Sequence, residues 1–199
     1  MSAKHSRYGV NARWHLVAVL AAGALLSFAA GAVAQERVDP MAATVGQWFT
    51  MIEESFVGLA DAMPAEKYGF KPANGEFANV RTFGEQVKHV ACSNFGFFNE
   101  IEKKEPPPDC DTGGPGPAKT KADLMPYLRE SFTYAQRVLR TMTPANALEP
   151  AGGRYGGPST RLGLTTLAVW HASDHYGQLV VYLRMNGIVP PASRPAPAR

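Results

Sequence analysis

The chain has 199 residues and a mass of 21.5 kDa, with 45% hydrophobic, 19% charged and 10% aromatic residues. That is enough apolar material for one sizeable core, and it excludes a disordered chain, a multi-pass membrane protein and a cysteine-stapled miniprotein. The net charge of +3 comes from Lys4, Arg7 and Arg13 near the start, and the other 17 basic residues balance 17 acidic ones. The body therefore lacks the footprint of a nucleic-acid binder.

Met1 to His15 is polar and basic, and an uncharged run follows from Leu16 to Ala34. The run ends Ala32-Val33-Ala34 before Gln35, the small-x-small pattern of a cleavage site. Residues 1–34 are thus predicted to be a secretory signal peptide of the bacterial Sec type, without the Arg-Arg pair of the twin-arginine route. An uncleaved membrane anchor is the competing reading, but the run is rich in Ala and Gly and only weakly apolar. Cleavage after Ala34 leaves one domain, periplasmic or secreted, with no stable membrane anchor.

Four helices are predicted in that domain. Asp39 and Pro40 open the first, whose apolar residues Val45, Trp48, Phe49, Ile52, Phe56 and Leu59 recur at steps of three and four until Pro64. The second runs from Thr82 to about Lys104, with Thr82 and Glu85 as a capping box, and stops at Pro106-Pro107-Pro108. The third begins near Thr120 and reaches about Met142; the fourth runs from about Arg161 to Asn186, ahead of Gly187 and Pro190-Pro191. No segment alternates at period two. An all-α four-helix bundle over 35–191 follows, with long loops after helices two and three for crossover connections and a disordered tail over 192–199.

Two cysteines, Cys92 and Cys110, remain in the exported body. An oxidising compartment favours a disulfide between them, worth about 3 kcal/mol for a loop of this length. The alternatives are a buried small hydrophobe with a loop thiol, or Cys92 as a metal ligand one turn after His89.

Three histidines belong to the body: His89 in helix two, and His171 and His175 in helix four. The last two are four residues apart and share one helix face, where two imidazoles reach one metal ion, and His89 completes a facial set. Neutral imidazole suits zinc, nickel, copper or iron. The plainer reading is three ordinary polar residues on a bundle. Two zinc-protease patterns fail, because Ala172 stands where H-E-x-x-H needs Glu, and no acid follows Asp174 to complete an H-x-x-E-H site.

Four blocks carry a family resemblance: Glu66 to Pro72 (EKYGFKP), Arg81 to Ala91 (RTFGEQVKHVA), Trp170 to Gln178 (WHASDHYGQ) and Met185 to Pro191 (MNGIVPP). Together they resemble the DinB-like (DinB/YfiT-like) superfamily from about Met41 to Pro191. The resemblance implies a four-helix bundle with a metal triad of one histidine on helix two and an H-x-x-x-H pair on helix four, which falls on His89, His171 and His175. It also implies thiol-dependent transferase and isomerase activities for some members, which export weakens here because a cytosolic thiol cofactor would be out of reach.

Three protein ligands leave a coordination position open, the arrangement of a catalytic metal. The expected function is a divalent-metal-binding protein, zinc or nickel first, acting as a metal-dependent hydrolase or transferase on a small molecule. The alternative is a non-catalytic bundle that binds metal or a small ligand, and a homodimer is open to either. No general base is evident: Asp174 lies well round the helix from His175, and Asn94 and Tyr176 are better read as structural. Trp48, Phe49, Phe95, Phe97, Phe98 and Trp170 either wall a pocket over the metal or form core, and Gly177 either gives a ligand access or accommodates a bulky neighbour.

Overall fold

The computed structural model describes residues 38–105 and 120–195. The predicted signal peptide, Cys110 and residues 196–199 lie outside the described residues. Four helices carry the fold: α1 (Pro40–Ala62), α2 (Phe83–Ile101), α3 (Lys121–Leu139) and α4 (Arg161–Met185). No strand occurs among the described residues, only an isolated bridge between Pro150 and Thr160. No described helix is long and apolar enough to cross a membrane.

Local chemistry starts each helix. Asp39 accepts from the Met41 N–H at 2.8 Å, with Pro40 in the first turn where no amide hydrogen is needed. Thr82 and Glu85 close the predicted capping box: Glu85 N–H donates to Thr82 Oγ1 at 3.3 Å, and Thr82 N–H to Glu85 Oε2 at 2.7 Å. Thr120 and Thr160 cap α3 and α4 with their hydroxyls alone, accepting from the Asp123 and Gly163 N–H groups. The second helix ends three residues before the predicted Lys104. Lys103 turns left-handed (φ 57°), and the Lys104 N–H returns to Asn99 O at 2.8 Å. This is a Schellman stop made without glycine, so nothing in the sequence announces it. At the end of α4 the same left-handed position falls to Gly187 (φ 72°), as expected.

Hydrogen bonds between helices fix their directions. Gln136 of α3 donates to Thr50 of α1 at 2.7 Å, and Lys121 at the other end of α3 donates to Met63 O at 3.1 Å, so α1 and α3 are antiparallel. Asn94 of α2 and Glu102, just past its end, meet Ser131 and Arg137 of α3, so α2 and α3 run parallel. Tyr182 of α4 donates to Arg81 O at 3.0 Å while His171, further back in α4, meets His89, so α2 and α4 are antiparallel. The order is up-down-down-up, with α1 across the bundle from α2 and α3 across from α4. Parallel α2 and α3 place the end of α2 and the start of α3 at opposite ends of the bundle, about the 28 Å length of α2 apart.

The core is aromatic at its centre. Phe49 of α1 stacks against Phe98 of α2 at 5.7 Å and Phe132 of α3 at 5.3 Å, all fully buried. Beyond α4, Pro191–Ser193 form a short 3₁₀ turn, and Arg184 donates to Ser193 at 3.1 Å. The folded part thus continues past the predicted boundary at 191.

Candidate metal centre

The α2/α4 seam brings His89, His171 and His175 together, with one ring nitrogen from each within 4.8 Å of the others. Ring centroids are 4.9 Å apart for His89–His171, 4.8 Å for His89–His175 and 4.5 Å for His171–His175. Nε2 of His89 and Nε2 of His171 face each other at 3.0 Å. Nitrogens of three ligands to one tetrahedral metal would lie about 3.4 Å apart, so the 3.0 Å pair would open slightly and the third nitrogen, within 4.8 Å of the others, would draw in. His175 is buried and the other two are half-buried.

Electrostatics keep these rings neutral. Burial, then the Arg81 charge and His175, bring the His89 pKa down to about 4. Burial and the two neighbouring imidazoles, with Arg81, bring His171 down to about 3. Burial also lowers His175; Asp174 opposes this and Arg81 adds to it. Unprotonated imidazole is the form that ligates a metal, so the donor set suits a borderline transition metal. Nδ1 of His171 and Nδ1 of His175 are buried without a hydrogen-bond partner among the described residues. Among the described residues no carboxylate orients these rings from behind.

The seam is layered. One turn before His89, Gln86 donates to Gln178, one turn after His175, at 2.8 Å, and Gln178 donates to Asp174 Oδ2 at 2.8 Å. On the other side of the triad, Phe97 lies edge-on to His171, with centroids 5.5 Å apart. Tyr155, from the loop before α4, packs edge-on to Phe97 at 4.8 Å. Its hydroxyl sits where a Cβ on Gly96 would come within 2.3 Å, so only glycine admits it. Glu100 holds that loop, accepting from the Gly153 N–H at 2.7 Å and the Arg154 N–H at 3.0 Å.

Several sequence candidates fall elsewhere. Trp48 and Trp170 are 60% and 63% exposed, so neither walls the site. Phe49 and Phe98 are core, and Phe95 packs on Tyr127 and Tyr134 of α3. Asn94 is fully buried and donates to Ser131 on α3, away from α4, which makes it structural. Tyr176 is half-buried against the core. A Cβ on Gly177 would meet nothing within 4 Å, so no bulky neighbour requires that glycine. Cys92 is buried on α2 but is not among the grouped metal-ligating side chains. Asp174 is engaged by Gln178 rather than by a histidine. Sequence reasoning passed over Arg81, Gln86, Gln178 and Tyr155; the two glutamines could have been found at three-residue spacing from His89 and His175.

A family model for the DinB superfamily matches residues 48–179. Among curated protein sequences, none matches the chain. The crystal structure of a DinB-like protein, YjoA, from Bacillus subtilis is similar at 22% identity with a TM-score of 0.55, over 72% of this chain and 92% of that one. That likeness bears on the fold, and the family match extends through helices α2 and α3 to the site-bearing part of α4. The chain belongs to the DinB superfamily.

Proposed function

We propose that the protein is an exported metal-binding bundle that holds one divalent transition metal, zinc or nickel first, on His89, His171 and His175. The observation that carries this reading is the convergence of three neutral imidazoles from two helices, with ring nitrogens within 4.8 Å and no carboxylate among them. A metal there acts as a Lewis acid with an open position, and so supports hydrolase- or transferase-type chemistry on a small molecule. The chain's own residues supply the surroundings: Phe97 and Tyr155 shield one side of His171, and the Arg81 charge favours anionic ligands. Export through cleavage after Ala34, and a bridge from Cys92 to Cys110, are parts of the same proposal.

A second reading, a non-catalytic metal- or ligand-binding bundle, is favoured by one observation. The nearest acid, Asp174, is tied to Gln178, and no acidic side chain hydrogen-bonds a triad histidine among the described residues. Elemental analysis of untagged protein from the periplasm tests the site, with about one metal ion per chain expected and none in the triple alanine variant. Full metal content in that variant overturns the assignment. Turnover of a panel of small esters, amides and lactones, lost in His175→Ala with helicity retained, separates enzyme from binder.

A further inference from the structure

The amide chain beside the triad has a direction. Asp174 is a carboxylate and accepts, so Gln178 must turn its NH2 group toward it. Gln178 then presents its carbonyl to α2, and Gln86 must answer with its own NH2 at 2.8 Å. Flipping either amide would set two acceptors or two donors face to face, so the assignment follows from the network rather than from choice. The free end of the chain is therefore a carbonyl: Gln86 is 3% exposed, and its Oε1 is buried with no partner among the described residues. A buried amide oxygen is rarely left without a donor, and Gln86 stands one turn before His89, in the layer next to the imidazoles.

We propose that the Gln86 carbonyl accepts a hydrogen bond from the ligand held opposite the three histidines, selecting ligands that carry an O–H or N–H there. Asp174 and Gln178 are positioning residues that keep Gln86 turned as an acceptor. The proposal rests on the metal-site reading above.

The test uses cobalt(II)-loaded full-length protein and two planar monoanions of similar size, bicarbonate and nitrate. Only bicarbonate carries an O–H, and because both have one charge, the attraction of Arg81 cancels in their ratio. Cobalt per chain is measured first; failure of wild type to bind it overturns the metal site itself and this proposal with it. With cobalt bound, affinities are read from the visible spectrum. Wild type is expected to prefer bicarbonate, and Gln86→Leu to lose about tenfold of that preference with cobalt content unchanged. Gln178→Leu, at an exposed position, leaves Gln86 in place but free to flip, and is expected to lose part of the preference. It serves as the test if Gln86→Leu does not fold. An unchanged ratio in cobalt-loaded variants overturns the proposal, as does a wild type that gives no bicarbonate response. Weaker cobalt binding with the ratio intact also overturns it, since Gln86 would then be supporting a histidine rather than reading the ligand.

Discussion

Acidification separates imidazoles held neutral by the fold from ordinary ones. At pH 5 an imidazole of pKa about 4, as for His89, is about one-tenth protonated, whereas one at the usual 6.5 is almost wholly so. Three ordinary histidines would each weaken metal binding about thirtyfold between pH 7 and pH 5, a combined loss above 10⁴. With His89 and His171 depressed to about 4 and about 3, the expected loss in the folded protein is below about a hundredfold. The same shifts act oppositely on the stability of metal-free protein. Between pH 6.5 and about 4 the unfolded chain binds protons that folded His89 does not, so stability falls as pH falls through that window. Each imidazole kept neutral lowers stability by at most about 1.4 kcal/mol per pH unit below 6.5, about 2 kcal/mol at pH 5 for His89, which partial exposure reduces to roughly 1 kcal/mol. Urea denaturation of chelator-treated wild type and His89→Gln at pH 7 and pH 5 reads the effect of His89 together with its coupling to the other two imidazoles, while titrating groups distant from the triad cancel in the difference. If both proteins lose equal stability, the fold does not hold His89 neutral and the reasoning fails.

Gly96→Ala places a methyl against the Tyr155 hydroxyl, and is expected to cost about 1–3 kcal/mol in urea and to speed trypsin cleavage at the exposed Arg154. Glu100→Ala removes the acceptor of two loop N–H groups, so trypsin cleavage at Arg154 should accelerate with global stability reduced by only about 1 kcal/mol. Asn94→Leu should cost about 1–3 kcal/mol through the lost bond to Ser131 while leaving metal content at the wild-type level; loss of metal would place Asn94 in the site after all.

What the sequence by itself determined is local. Caps such as Asp39-Pro40 and Thr82 with Glu85 act within one helical turn, so the four helices and most of their starts were legible without a structure. His171 and His175 were legible as a pair for the same reason: a spacing of four puts both on one face whatever surrounds the helix. What that face meets was decided only by packing. In α4 apolar residues go all round the helix, so periodicity could not say that Trp170 faces solvent while its neighbour His171 meets His89 across the seam. Antiparallel pairing of α2 with α4 sets Gln86 against Gln178 and turns Asp174 from a candidate acid into the anchor of an amide chain. Tyr155 reaches Phe97 because its loop folds back onto α2, a contact between residues 58 apart in the chain that no helical period encodes. Helix starts depend on neighbours in sequence; the surroundings of the histidines depend on which helices touch, and in which direction they run.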